Sequence, residues 1–566
     1  MNVSSNVSSN VSSNVSSNVS SNVSSNISSI VPSQFKKNLI DNDDFSDEKR
    51  FQPLKNKAID FLSLLAGAVS ILSFSPFDLW PLLLITFSFF IWTLDHSSIP
   101  RAVFRGFLFG LGFFGLGVSW VYVSIHTYGG AGTGLAIFIT TVFIIFFAFY
   151  IAIFSGLYAW SFSSNRYFKT FMIFPAYWIG IEILRGKLFT GFPWLDIGYA
   201  GIHSPYAFIA PIWGVYGVGI LILISAGLIT TLIEAPRYLK IFPLSGFLFL
   251  LALSYGAQHY QSENLLNNSI NKTIKTLNIA LIQGDISPDI KWNSDDAGMI
   301  LKIYQSLTSS ILTPNHPHPD LIIWPEDAFP YFQDESMRLL AQLSAQLKKK
   351  NTTLLMGLPI RHPNPDLDNP YSYYNAALFL GETQGTYYKK HLVPFGEYTP
   401  SLWVPISNYF NFPLSDFSPA PKNSPSVFTL ANGIQVGLLI CYEVAFPFEA
   451  QKNLSGAQLI ISLSDDSWFG NSLAPWQQLQ MLQMQAKSFG IYALSVTNSG
   501  VTAVINPNGK IQASVPMGLP NVLSTTIQIT KNNTPWATGI GPISLIIFLF
   551  LLLGITYCCC PTKTKN

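Results

Sequence analysis

Three apolar runs in the second half of this 566-residue chain end in groups that can do chemistry together. One closes in Trp324-Pro325-Glu326, one in Tyr388-Lys389-Lys390-His391, and one in Ile440-Cys441-Tyr442-Glu443. A thiol is a weak nucleophile until it loses its proton. A carboxylate within reach can take that proton, and a fixed cation can hold the oxyanion that forms when the sulfur adds to a substrate. Taken singly, each group has an ordinary reading. A solitary cysteine is usually a small buried hydrophobe, glutamates usually lie on the surface, and a lysine can lay its stem along apolar surface with its charge in water. The functional reading rests on convergence, with either Lys389 or Lys390 as the cation.

The elements that must position these groups are strands, because ligands and catalytic groups of α/β sheets gather outside the carboxyl ends of strands. Within the polar segment 258–536 the apolar residues fall in short runs separated by turn signals. Strands are predicted at 277–283, 321–324, 353–357, 376–380, 436–441, 459–463 and 492–497, with helices at 337–350 and 476–489 between them. This alternation argues an α/β domain.

The rest of the chain is of another kind. Hydrophobic residues make up 49% and charged residues 11% of the sequence, whereas charge is about a quarter of an ordinary soluble domain. Runs of the ~20 apolar residues needed to cross a bilayer are predicted near 58–75, 79–95, 103–124, 132–160, 167–184, 208–233 and 240–257, and again at 539–558, giving about eight transmembrane helices. Arg and Lys fall in alternate loops, after the second, fourth and sixth runs. That pattern places both termini in the cytoplasm and 258–536 on the outer side. Arg185 and Lys187 break the pattern, and phosphate contact would explain them.

The predicted organisation is a 1–50 tail, a 51–257 membrane domain, a 258–536 catalytic domain, a 537–560 helix and a 561–566 cytoplasmic tail. Residues 2–29 repeat Asn-Val-Ser-Ser, a tract too polar and uniform to build a core and read as disordered; no basic segment followed by an apolar stretch marks a signal peptide there. The net charge of +2 gives no broad footprint for nucleic acid. Cysteine occurs only at 441 and 558–560, which excludes a disulfide framework for the polar domain. The eight histidines show no ligand spacing with Cys441, so no metal site is expected.

The three strand ends resemble the Glu-Lys-Cys triad of the nitrilase superfamily. The segments 117–129, 191–194, 283–285, 291–292, 391–400 and 464–470 are similar to those of the apolipoprotein N-acyltransferase family, over roughly residue 58 to the last apolar run. The resemblance implies an αββα sandwich beside the helical membrane domain, with Glu326 as general base, Lys389 as catalytic lysine and Cys441 as nucleophile. Lys389 is preferred to Lys390 by its spacing to Glu397, which matches a supporting glutamate; Tyr442 and Glu443 complete the cysteine motif. Trp292, Trp468 and Arg185 are the substrate-binding candidates, the last toward a lipid phosphate. Aromatic residues near 76–80, 120–128, 192–199 and 402–412 are candidates for a lipid-facing mouth. The resemblance further implies a monomer in the bacterial inner membrane with a periplasmic catalytic domain and no cofactor. Its acyl donor would be a phospholipid such as phosphatidylethanolamine, and its acceptor the α-amine of diacylglyceryl-cysteine in an apolipoprotein. A rival reading keeps the triad for small-amide hydrolysis, with the helices as a mere anchor; a second is a transporter or receptor.

Overall fold

The computed structural model describes residues 44–161, 166–291, 293–313, 317–364, 370–400, 417–530 and 533–558. The Asn-Val-Ser-Ser tract, Trp292, the aromatics at 402–412, Cys559, Cys560 and the tail 561–566 lie outside the described residues. From Leu62 onward the chain forms one compact unit.

Among the described residues, seven helices of twelve or more residues come first: α1 (Asp44–Ser70), α2 (Pro81–Asp95), α3 (Ile99–Gly117), α4 (Thr133–Trp160), α5 (Phe174–Arg185), α6 (Ala210–Glu234) and α7 (Ile241–Lys272). Helix α1 starts inside the segment expected as a disordered tail. Helix α7 runs on past the predicted end at 257, because no Gly or Pro interrupts residues 258–272. Among the described residues, five helices are long and apolar enough to cross a membrane, with Pro81–Asp95 and Ile540–Gly554 as shorter apolar ones. The segment predicted at 167–184 is helical, but its regular part, Phe174–Arg185, follows a π-turn at Lys169–Ile173. Glycine lets α3 and α4 touch: a Cβ on Gly110 would come within 2.8 Å of Ala148 Cα. The run predicted to continue to 124 ends at Gly117, and the following turn leaves the helix bundle for the polar domain.

That domain comprises β1 (Thr273–Gln283), α8 (Ala297–Ile311), β2 (Leu321–Ile323), α9 (Met337–Lys349), β3 (Thr353–Pro363), β4 (Tyr371–Gly381), β5 (Gly385–Tyr388), β6 (Val427–Thr429), β7 (Gln435–Ile440), α10 (Pro447–Asn453), β8 (Leu459–Ser464), α11 (Ala474–Phe489), β9 (Tyr492–Thr497), β10 (Ala503–Ile505), β11 (Ile511–Ser514) and β12 (Asn521–Thr530), before the last helix α12 (Ile540–Cys558). One six-stranded sheet has the order β12-β1-β2-β3-β4-β5 and the other β11-β10-β9-β8-β7-β6. The parallel pairs β1–β2–β3 and β7–β8–β9 form their centres.

Side chains that alternate along each strand sort into three apolar layers. Leu277, Ile279 and Leu281 meet Leu438, Ile440, Ile461 and Val496 between the sheets. Ala280 and Ile282 turn the other way, against Ile300 and Tyr304 of α8 and Leu340 of α9. On the far side of the second sheet, Leu439, Ile460 and Ala493 join Leu482 and Ala486 of α11 in one core with Phe87, Trp178 and Ile220 of the membrane helices. The αββα sandwich is therefore present, and its second helical layer is shared with the membrane domain. An anchor alone would not be expected to merge its core with that of the domain it holds.

Candidate active site

Cys441 follows β7 as the first residue of a tight turn, Cys441–Ala445, and has φ +51°. A non-glycine residue held there stores on the order of 1–3 kcal/mol of strain, and the sharp strand-to-turn bend lifts the thiol off the sheet edge. Glu443 holds that bend. Its Oε2 accepts from Ile440 N at 2.7 Å and from the Tyr387 hydroxyl at 2.7 Å, while Oε1 accepts from Lys390 N at 2.8 Å and His391 N at 3.2 Å. One buried carboxylate thus ties the end of β5 in the first sheet to the end of β7 in the second. Burial raises the Glu443 carboxyl, and the hydrogen bonds from Ile440 N, the Tyr387 hydroxyl and Lys390 N, with the charge of Lys389, work against that rise.

Alternation along β5 gives the two lysines different surroundings. Tyr387 and Lys389 face inward, and Lys389 is 1% exposed. Its Nζ lies 3.2 Å from Glu326 Oε1 and 2.8 Å from Glu397 Oε1. Lys390 is less buried and serves Glu443 through its backbone. Burial alone would lower the Lys389 ammonium, but Glu326, Glu397 and Cys441 outweigh it and hold the group well above its ordinary value. Asn375 of β4 donates to both glutamates, at 2.7 Å to Glu326 and 2.8 Å to Glu397. The second Glu397 oxygen accepts from Val393 N at 2.8 Å.

Glu326, 5% exposed, sits past the end of β2, and its Oε2 accepts from Asp465 N at 2.8 Å. Asp465 is paired in turn with Lys291 at 2.5 Å and receives Asn498 Nδ2 at 3.0 Å. Lys291 also donates to the Glu326 carbonyl at 3.1 Å. Burial raises the Cys441 thiol well above its usual range; Glu326 raises it further, and Lys389 partly offsets both. The resting sulfur is therefore a thiol that needs a base, and the carboxylate it senses most strongly is Glu326.

Tyr442 turns away from this cluster toward the membrane domain. Its hydroxyl donates to the Gly191 carbonyl at 2.9 Å, and its ring stacks 6.4 Å from that of Trp194. Gly191 has φ +84°, and a Cβ there would strike the Gly186 backbone, so only glycine serves at this turn. Trp194 Nε1 and Trp120 Nε1 both donate to Gln477 Oε1, at 2.6 and 3.2 Å, while Gln477 Nε2 donates to Gly117 O at 3.1 Å. The segments 117–129 and 191–194 thus converge on one glutamine of α11.

Arg185 requires correction. Expected to face outward toward a phosphate, it is 3% exposed, paired with Asp196 at 2.6 Å, and donates to the carbonyls of Phe192 and Trp194. Its charge is spent inside the protein, where it folds the 186–196 loop that meets Tyr442. The expected mouth is corrected in part as well: Trp120, Trp194 and Tyr199 are buried in the shared core. Trp468 lies on the turn after Asp465; its carbonyl accepts from Ser124 Oγ at 3.0 Å and its ring meets Tyr128 edge-on at 5.9 Å. His391 stacks on Phe446 and pairs with Glu449, a structural role.

Sequence reasoning missed Asn375, Asp465, Asn498 and Gln477 as individual residues. Asn375 and Gln477 fall inside an apolar strand and a helix, and a polar residue at an inward position was the one available signal.

A family model for the apolipoprotein N-acyltransferase N-terminal domain matches residues 66–228, and one for carbon-nitrogen hydrolase matches 278–531. The apolipoprotein N-acyltransferase of Coxiella burnetii is 36% identical, covering 87% of this chain and 99% of that protein. That of Azotobacter vinelandii is 34% identical, over 84% and 90% respectively. An amidase of Nesterenkonia sp. AN1 is similar in structure at 18% identity and a TM-score of 0.32, covering 46% of this chain and 92% of its own. With a curated relative matched over almost its whole length, this membrane protein with an α/β nitrilase-like domain belongs to the apolipoprotein N-acyltransferase family.

Proposed function

We propose that the chain transfers a fatty acyl group from a phospholipid, through a thioester on Cys441, to the α-amine of an N-terminal diacylglyceryl-cysteine in an apolipoprotein. The observation that carries this reading is the meeting of Glu326, Lys389 and Glu397 with Cys441 at adjoining strand ends, in a chain whose relatives bear that enzyme's name.

Glu326 takes the thiol proton as Cys441 Sγ adds to the ester carbonyl. Lys389 holds the oxyanion. Collapse breaks the C–O bond; the proton returns from Glu326 to the leaving lysophospholipid oxygen, and the acyl group stays on sulfur. The lipoprotein amine then adds to the thioester, gives its proton to Glu326, and expels the thiolate as the amide forms, after which the proton returns to sulfur. Lys389 is held too firmly by two carboxylates to act as the base. Asn375 and Asp465 N fix both Glu326 oxygens, so the carboxylate meets the thiol in one orientation.

Both substrates are lipids, which fits a catalytic domain that shares a core with apolar helices. Phosphatidylethanolamine is the proposed donor. In this reading the protein works as a monomer in the bacterial inner membrane, with the catalytic domain in the periplasm and both termini in the cytoplasm. The test is intact-mass analysis of detergent-purified protein after incubation with phosphatidylethanolamine. A hydroxylamine-sensitive acyl adduct on wild type, absent from Cys441→Ala and Glu326→Ala, supports the mechanism. A folded wild type that acquires no adduct, or a Cys441→Ala protein that acquires the same one, overturns it in favour of small-amide hydrolysis.

A further inference from the structure

Among the described residues of the catalytic domain three lysines are buried, Lys291, Lys389 and Lys487, at 6%, 1% and 4% exposure. Lys291 is paired with Asp465, and Lys389 with Glu326 and Glu397. The Lys487 ammonium has no ion pair and no hydrogen bond among the described residues. Lys487 stands in the last turn of α11, against the turn that joins β10 to β11. A Cβ on Gly509 of that turn would come within 3.2 Å of Lys487 Cβ and 3.0 Å of Ile202 Cδ1. Gln483, one helical turn earlier, donates to the Gly509 carbonyl at 2.8 Å. The next residue is Lys510, which is exposed.

A buried charge is normally paired, because an ion taken out of water without a partner is costly. The partial negative charge at the C-terminus of α11 favours a cation there, but only weakly. Asn508 Oδ1, on the same turn as Gly509, is a buried oxygen without a partner; it is neutral and would leave the charge uncompensated. Asp78, further along this face of α11, is already engaged by Ser75 Oγ at 2.7 Å and Gln480 Nε2 at 3.1 Å. The charge that acts on Lys487 has its own sign: burial, with Lys510 adding to it, lowers the ammonium to about 8. Two lysines without a carboxylate make half of an anion site.

The level of this site in the fold names the anion. Ile202 stands just before Pro205–Glu234, a helical segment long and apolar enough to cross a membrane. The phosphates of a bilayer lie just outside its hydrocarbon, and hence at such a helix end. On either side of Asp78, Phe77 and Leu79 are 46% and 51% exposed, apolar surface that a lipid chain would cover.

We propose that Lys487 and Lys510 bind the phosphate of an anionic phospholipid whose chains lie against the membrane domain, at a site that uses none of the acyl-transfer residues. The lipid is anionic and not zwitterionic, because a headgroup ammonium would meet two lysines. Its phosphate oxygens give Lys487 the acceptors it lacks.

The test uses full-length Cys441→Ala protein, in which no thioester can form, so it stands or falls separately from the acyl-transfer reading. Thermal unfolding is followed in a neutral detergent alone and with added phosphatidylglycerol, phosphatidylcholine or inorganic phosphate. Phosphatidylglycerol is expected to raise Tm by about 2–4 °C, and the other two to leave it unchanged. With Lys487→Met added, the phosphatidylglycerol shift is expected to fall to less than half. If that variant does not fold, Lys510→Glu, at an exposed position, takes its place with the same expectation. A phosphatidylglycerol shift of equal size with and without the lysine substitution overturns the proposal. So does an equal shift with phosphatidylcholine, since headgroup charge would then not matter, or with inorganic phosphate, since the ligand would then be a free anion and not a lipid.

Discussion

The Tyr387 hydroxyl donates to Glu443 Oε2 across 2.7 Å, and by that bond the strand that carries Lys389 in one sheet is fixed to the turn that carries Cys441 in the other. The distance between the lysine and the nucleophile is therefore set by neither sheet alone. It is set by a carboxylate beside the nucleophile that spends both its oxygens on the two strand ends.

Replacing that carboxylate by an amide tests the relationship. Glu443→Gln keeps the shape but turns one oxygen, which now accepts two hydrogen bonds, into a donor facing donors. A buried unsatisfied donor costs about 1–3 kcal/mol, so Glu443→Gln is expected to fold with a lower Tm and to form the Cys441 acyl adduct at least tenfold more slowly, as read by single-turnover mass spectrometry. Tyr387→Phe removes one bond without creating the clash, and its loss is expected to be smaller.

Asn375 donates to the Glu326 and Glu397 oxygens that also bind Lys389. Asn375→Asp places a third carboxyl on a single ammonium. One of the three must then hold a proton, and that proton is supplied more easily as pH falls. The variant is expected to lose about 100-fold in acylation rate at neutral pH, the effect of a small misplacement of the catalytic groups, and to recover part of it at pH 5.5. A flat deficit across pH would show that packing, not charge, is the cause.

Burial raises the Asp327 carboxyl to about 7; Lys291 opposes the rise, and Glu326 and Asp465 add to it. The sign follows from linkage. The folded pKa lies above the unfolded value of about 4, so this group's contribution to stability is fully present below pH ~4 and is lost as pH rises through about 7. Asp327→Asn removes the titration, and asparagine tolerates the positive φ of this position. Its Tm is expected to exceed that of wild type at pH 8, by a few degrees, and to match it at pH 4. An equal Tm at pH 8 would mean that the folded protein holds the charge without cost.

Gln477 leaves three buried groups without partners if it is removed: the Trp120 and Trp194 indole N–H groups and the Gly117 carbonyl. Gln477→Leu is close in size and is expected to destabilise by about 2–4 kcal/mol, the sum of a few unmade bonds. Limited proteolysis in detergent checks the location of the damage. Cleavage is expected to appear first in the 186–196 loop and the turn after Asp465, where the two domains meet.

The sequence by itself determined the parts of this protein that depend on local order. Apolar run length marks the membrane helices, short strand-like runs mark the centre of each sheet, and the ends of those runs name Glu326, the Lys389–Lys390 pair and Cys441. These are legible because hydrophobic periodicity and strand ends are local properties of the chain. Tertiary structure decided what depends on the partner. Lys389 and Lys390 are neighbours of the same type; the family resemblance favours Lys389, and the contacts of its side chain with Glu326 and Glu397 are visible only in the fold. Arg185 looks like an exposed cation until Asp196 and two loop carbonyls close around it. Asn375 and Gln477 carry no motif at all. Each becomes important because folding brings to it buried polar groups from distant segments, and such a group must find its hydrogen bond inside the protein or lose about as much energy as the bond would have supplied.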